Sequence, residues 1–346
     1  MGALRPRYSE GILYGKHVMA GLPPGLLIRT AKQIWTTLWQ TMMGQMAPSS
    51  KGGDYQRPES EFRQWVTPDG AYPPDANRYQ LIVGLGCPWA HRTLVTRALK
   101  GLEGTISILP VVPSPNEGCW VFEKPFRGCR TLPELYRQAK PGYRGRATVP
   151  VLWDAQTASM VNNESADIIV ILNAAFNEWA KRPEVDLYPE ALRADIDQWN
   201  ERTYHAVNNG VYRCGFAQTQ AAYDRAVAEL FDALDAIDGA LGGAASPAGN
   251  RPYLCGDAIS LADVRLFTTL FRFDVVYYSL FKCNRRRIQD YAYLGPYLRR
   301  MYQLPGVAET CDIEAVKRDY YGNLFPLNPG GIIPSGPDLE YLQGCS

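Results

Sequence analysis

Cys87 follows an apolar run, YQLIVGL over residues 79–85, and precedes a helical pattern over 90–100 that stops at Gly101. A cysteine at such a junction meets free backbone amides and the positive end of a helix dipole. Both favour a thiolate and can bring the thiol from about 8.5 toward roughly 3.5–7.5. Pro88 suits the first helical position, where an N–H would have no partner. Position 90 is Ala, so only half of a Cys-x-x-Cys redox site is present. A lone thiolate can attack sulfur and form a mixed disulfide, but an external thiol must resolve it. The plainer alternative is a buried, inert cysteine ahead of a helix.

Two further motifs bear on that thiol. Val149-Pro150-Val151 puts a proline where a strand should open, which signals a special backbone geometry; a cis-proline facing an active cysteine would leave the preceding backbone free for a peptide-like ligand. Asn162-Asn163-Glu164-Ser165 marks a strand-to-helix junction able to hold an amino-acid head group, its carboxylate on Ser165 and the helix amides, its ammonium on Glu164. An ordinary helix cap is the competing reading of the same residues. Three histidines (His17, His91, His205) leave little room for a metal cluster, and His-Glu-x-x-His, phosphate-loop and Gly-x-Ser-x-Gly patterns are missing. Gly84-Leu-Gly86 lacks the third glycine of a dinucleotide fingerprint, since Trp89 stands there. His91 reads as a packing or polar surface residue, with tuning of the thiolate as the alternative. Cys119, Cys129, Cys214, Cys255, Cys283, Cys311 and Cys345 read as structural or incidental.

These motifs require strands over 79–85, 106–112, 148–154 and 159–162 and helices over 90–100 and 165–173, with a polar, Gly- and Pro-punctuated excursion over 113–146. That is an α/β unit with parallel and antiparallel pairs. Beyond Pro189 the strand signal disappears. Tyr223, Val227, Leu230, Phe231, Leu234, Ile237 and Leu241 keep helical spacing, and a turn is expected over 242–249. Ser260-Leu-Ala-Asp263 then opens a helix apolar nearly all round, as expected for the middle of a helical domain. Ahead of the α/β unit, residues 26–46 carry Arg29 and Lys32 among apolar residues at three- and four-residue intervals, which makes an amphipathic helix rather than a membrane span. It should dock on its own protein or a partner subunit, with membrane-surface contact as the alternative. The 346 residues balance 36 Lys+Arg against 35 Asp+Glu, which excludes a polyanion binder and hence nucleic acid. Eight cysteines without a Cys-x-x-Cys fit a reducing compartment. The expected division is an arm over 1–54, an α/β domain over 55–180 and a helical domain over 181–346.

The chain resembles the glutathionyl-hydroquinone reductases, the Xi class of glutathione transferases, over about residues 55–335. The likeness rests on Cys87-Pro-Trp-Ala-His91, Thr148-Val-Pro-Val-Leu-Trp-Asp154, Val161-Asn-Asn-Glu-Ser165, Asn208-Asn-Gly-Val-Tyr-Arg-Cys-Gly-Phe216, Arg272-Phe-Asp-Val-Val-Tyr277 and Phe281-Lys-Cys-Asn284. It implies a thioredoxin-like N-terminal domain, an all-helical C-terminal domain, a two-fold homodimer, and reduction of glutathionyl-hydroquinones with glutathione as co-substrate and neither metal nor nucleotide. By the same resemblance Cys87 is the nucleophile and Trp120 lies over glutathione. Val149 pairs with its cysteinyl peptide unit, Glu164 and Ser165 anchor its γ-glutamyl end, and Tyr204 and Tyr320 point phenols at the hydroquinone. The cytoplasm is the expected location, or the plastid stroma in a photosynthetic eukaryote. Two departures stand out: a seemingly shorter stretch between Trp120 and Thr148, and a longer N-terminal arm than in many bacterial members. Because every matched residue lies beyond Asp54, the arm is expected to be dispensable for catalysis. The rival functions are a general thioltransferase or dehydroascorbate reductase, and a non-catalytic adaptor on the same fold.

Overall fold

A computed structural model of the chain describes residues 24–243 and 251–343. His17, Cys345 and most of the turn expected over 242–249 lie outside the described residues. The apolar run forms β1 (Tyr79–Val83), buried except at Gln80. It pairs parallel with β2 (Ser107–Ser114) and antiparallel with β5 (Val151–Asp154). With β3 (Cys119–Phe126), β4 (Cys129–Thr131) and β6 (Ser159–Asn162), all antiparallel to their neighbours, the sheet runs β4-β3-β2-β1-β5-β6.

Strands β3 and β4 fall within the stretch read as an excursion. β3 does open on a short apolar run, Cys119–Phe122, but the Glu-Lys-Pro that follows is exposed and β4 is the outer strand of the sheet, where half-solvated residues need not be apolar. The helix that follows, α3 (Leu132–Ala139), had a legible signal. Thr131 Oγ1 accepts from the Glu134 N–H at 3.3 Å, and Glu134 Oε2 accepts from the Thr131 N–H at 3.1 Å, a reciprocal cap.

The helix α1 (Pro24–Met46) precedes the sheet, α2 (Pro88–Lys100) follows β1, and α4 (Ser165–Ala174) follows β6. Gly101, at φ 67°, closes α2 in the left-handed conformation that glycine adopts without cost. Every residue of α2 except Arg97 is buried, because it packs on α4 and on the helical half of the molecule. That half comprises α5 (Arg193–Thr203), α6 (Gly210–Gly215), α7 (Gln220–Leu241), α8 (Leu261–Arg272), α9 (Leu294–Tyr302) and α10 (Ile313–Asn323). A π-helical turn at Tyr204–Asn208 joins α5 to α6 and another at Phe273–Tyr277 extends α8. As its composition predicts, α8 is buried at every position but Arg265 and packs against α2. Asp263 anchors its start by accepting from the N–H of Ser260 (2.8 Å) and Leu254 (2.9 Å) and the hydroxyl of Tyr297 (2.9 Å).

The amphipathic helix docks on its own chain only by its last turns. Met43 and Ala47 are fully buried in the helical core, and Trp39 Nε1 donates to the Pro326 carbonyl at 3.1 Å. Leu27, Ile28, Ile34, Trp35 and Leu38 remain exposed. Among the described residues no helix is long and apolar enough to cross a membrane.

Candidate active site

Cys87 is the N-cap of α2 and borders a cavity of about 720 Å³ between the sheet and the helices. The loop before it is fixed from the helical side. The Gly86 N–H donates to Asp319 of α10 at 3.0 Å, while Arg272, the last residue of α8, donates to the carbonyls of Gly86 (2.8 Å) and Leu85 (3.0 Å). Side chains would not fit here: a Cβ at Gly84 would collide with the Trp120 ring and one at Gly86 with Asp319. The Val149–Pro150 peptide is cis, and the Cys87 thiol points at the Val149 carbonyl, 3.6 Å away.

Two opposed influences act on the thiol. Burial is the larger and pushes Cys87 above its ordinary value; the amides of Ala90 and Trp89 and the guanidinium groups of Arg272 and Arg57 pull it down. The sequence-based expectation of a depressed value counted only the helix terminus, whereas desolvation wins in the protein by itself. Arg272 is therefore notable. It is 1 % exposed, and its remaining donor reaches the Thr268 carbonyl (3.0 Å) and His91 Nδ1 (2.9 Å). Among the described residues no carboxylate is within ion-pair distance of it. Asp319, on the other side of Gly86, feels the charge of Arg272 without pairing with it, and an anion at Cys87 would compensate this buried cation further. His91, buried and held neutral by desolvation and by Arg272, braces this arginine rather than the thiol.

Trp120, Val149 and Asn163 border the cavity, as do the cations Arg57 and Arg146. Glu164 and Ser165 adjoin Asn163 but are not on the lining. Glu164 caps α4, accepting from the Ala166 N–H at 3.0 Å and from the Ser60 hydroxyl at 3.0 Å. Burial raises its carboxyl, but those bonds and the charges of Arg92 and Arg57 prevail and hold it below the usual carboxylate range. Ser165 is buried, its Oγ accepting from Arg92 at 3.3 Å, and Arg92 also donates to Asn208 Oδ1 at 2.9 Å. The cap reading is thus literally present. It leaves a carboxylate and a hydroxyl just behind the lining.

On the helical side Tyr320 borders the cavity together with Tyr212. Their hydroxyls are 2.6 Å apart, and Tyr277 reaches Tyr320 at 3.1 Å. Burial raises all three phenols, so each stays protonated at neutral pH. Tyr204, at the start of a π-helical turn, lies with its ring 6.1 Å from Trp89 and is not on the lining. Tyr212 and Tyr277 were missed as site residues, although both sit in motifs that carry the family resemblance. No spacing in the sequence shows that α6, the end of α8 and α10 converge. Cys119 also borders the cavity, but burial and the carboxylates of Glu117 and Glu134 raise its thiol. Among the described residues no cluster of His, Cys, Asp or Glu could hold a metal.

A cysteine capping a helix opposite a cis-proline, in an α/β unit followed by an all-helical one, defines the glutathione transferase class. Residues 86–175 match the glutathione S-transferase N-terminal domain and 220–300 the C-terminal domain. The chain is 43 % identical over 329 residues to glutathionyl-hydroquinone reductase YqjG of Escherichia coli, covering 90 % of this chain and 96 % of that one. The glutathione-bound structure of YqjG superposes with a TM-score of 0.74 at 44 % identity, covering 80 % of this chain and 93 % of that one. The glutathione transferase Xi from Phanerochaete chrysosporium gives 0.80 at 42 % identity, with 84 % and 95 % covered. This chain belongs to the Xi class of glutathione transferases, the glutathionyl-hydroquinone reductase family, and has its thioredoxin-like and all-helical fold.

Proposed function

We propose that this protein reduces glutathionyl-hydroquinones to hydroquinones, with glutathione as co-substrate. One observation carries the reading: a single cavity joins the Cys87 thiol to a hydrogen-bonded set of phenols. The tripeptide lies along the thioredoxin-like side, with Trp120 over it and its cysteinyl peptide unit on the backbone of Val149. Its γ-glutamyl end reaches Glu164 and Ser165, and Arg57 and Arg146 meet its carboxylates. The aromatic ring faces Tyr320 and Tyr212.

The Cys87 thiolate attacks the sulfur of the conjugate, forming a Cys87–glutathione disulfide as the ring carbon–sulfur bond breaks. The ring carbon gains a proton, and Tyr320 donates it directly or through water while its partners hold the quinol oxygen. Tyr204, whose ring adjoins that of Trp89 on the cavity wall, positions that indole. Free glutathione then attacks the mixed disulfide, releasing glutathione disulfide and regenerating the thiolate. One glutathione thiol and the conjugate's own thioether sulfur leave as glutathione disulfide while the ring carbon exchanges its bond to sulfur for one to hydrogen, so no other reductant is needed.

Functionally, residues 55–180 supply the thiol side and 181–346 the acceptor side of a homodimeric enzyme, working where glutathione is kept reduced, in cytoplasm or plastid stroma. The test is glutathione disulfide formation from glutathionyl-menadiol and glutathionyl-chlorohydroquinone, compared with a small glutathione mixed disulfide. Faster turnover of the two conjugates supports the reading. Turnover of the mixed disulfide alone would make the protein a general thioltransferase, and no turnover at all an adaptor.

A further inference from the structure

The placement of α1 bears directly on the expectation that the N-terminal arm is dispensable. Met42 and Met46, in the last turns of α1, border the same cavity as Cys87. They stand with Leu324, Phe325 and Pro326, the segment that directly follows α10 and so continues from Tyr320. Two contacts join helix and segment into one wall, and a third residue anchors the helix in the core. Trp39 donates to the Pro326 carbonyl at 3.1 Å, Trp35 packs edge-on to Phe325 at 6.5 Å, and Met43 is sunk in the helical core.

We propose that the end of α1 is a specificity-determining wall of the acceptor site, selecting conjugates of bulky apolar quinols, those with a fused second ring or an alkyl substituent. The inference rests on the reductase reading. A single-ring quinol whose oxygen meets Tyr320 and Tyr212 fills the space near the phenols. A second ring or alkyl group extends beyond it toward Met42, Met46, Leu324, Phe325 and Pro326, a stretch of lining whose polar neighbour is Asn323. Methionine suits this role because its unbranched thioether adapts to flat rings and makes favourable sulfur–aromatic contacts. Met42 and Met46 are half-buried, in contrast to the fully buried Met43 between them, so they present surface that a ligand can cover.

The experiment compares full-length wild type with M42Q/M46Q and M42L/M46L, leaving Met43 as the anchor. Each is assayed on glutathionyl-menadiol, glutathionyl-chlorohydroquinone and a small glutathione mixed disulfide. The glutamine pair should lower kcat/KM on the two-ring conjugate by roughly tenfold or more, mostly through KM, the scale of losing apolar contact in a pocket. The loss on the single-ring conjugate should be several times smaller, and the leucine pair should restore most of the activity. Equal losses on all three substrates, or none on the two-ring conjugate, would overturn the role of α1 while the reductase reading stands. Wild type inert on both conjugates would overturn that reading and the wall with it.

Discussion

The two sides of the cavity are built by different means. The thiol side is built on strand ends and helix starts, where Cys87, the loop before it, Val149 and Asn163 sit, and two side chains of the helical half, Arg272 and Asp319, only brace that loop. The phenol side is assembled from side chains on three helical segments, Tyr212, Tyr277 and Tyr320, whose hydroxyls meet only in the folded helical half. Chemistry that needs one activated sulfur can be written into a strand–loop–helix junction. Chemistry that must also protonate and orient an aromatic ring needs groups gathered from a distance. The difference predicts that damage to the thiol side stops all thiol chemistry, while damage to the phenol side is selective for substrate.

The largest effect should come from Cys87→Ser, which is expected to lower turnover at least a thousandfold on every substrate, as loss of a nucleophile does, while glutathione binding stays measurable. Wild type given conjugate but no free glutathione should stop after one turnover, with one glutathione on the Cys87 peptide by mass spectrometry. Undiminished activity in the variant, or an adduct on Cys119, would refute this division of labour.

Next, Tyr320→Phe should slow reduction of glutathionyl-hydroquinone on the order of a hundredfold, the worth of general acid catalysis, and affect a simple mixed disulfide far less, because a departing thiolate needs no proton. Tyr204→Phe keeps the ring beside Trp89 and removes only the hydroxyl, so it should change either rate by no more than a few-fold. Equal losses on both substrates in Tyr320→Phe would move that tyrosine to glutathione binding or packing.

Arg272→Met probes the coupling between the two sides. It removes the cation beneath the Cys87 loop and leaves the Leu85 and Gly86 carbonyls without their donor. Destabilisation of about 1–3 kcal/mol is expected, and the pH profile of Cys87 alkylation by iodoacetamide should move to higher pH. An unchanged profile in a folded variant would show that Arg272 only packs.

The smallest effect concerns Asp319, which burial pushes up to about 6 against the opposing Gly86 N–H and the charges of Arg318 and Arg272. A carboxyl raised on folding contributes stability that is complete below about 3.8 and is lost as pH rises through about 6. Asp319→Asn keeps an acceptor for Gly86 and cannot ionise. Thermal melts should therefore show the variant gaining on wild type between pH 4 and 7, and any step near pH 6 in kcat/KM should vanish. Parallel melting curves across that range would remove Asp319 from the pH response.

How much was legible follows from which forces are local. The apolar run of β1, the Pro88 start and Gly101 stop of α2, and the burial of α8 all follow from propensity, capping and periodicity within a dozen residues. Cys87 could be singled out because a helix N-terminus acts on its own cap. The strands β3 and β4 escape a reading of the sequence because the short apolar run Cys119–Phe122 gives way at once to exposed polar residues, and the Thr131-x-x-Glu134 spacing ahead of α3 is a cap signal that the reading of an excursion leaves unused.

The sequence by itself determined the setting of Cys87 at a helix start without a second cysteine at position 90 and, through motif resemblance, the family and both halves of the fold. Only the tertiary structure decided the sign of the shift at Cys87, since burial depends on what packs over the thiol. It also put Tyr212 and Tyr277 beside Tyr320, put Tyr204 behind Trp89, and brought Met42 and Met46 of the arm to the cavity wall. Those facts depend on contacts between segments tens to hundreds of residues apart, which chain closure and packing fix and no local pattern encodes.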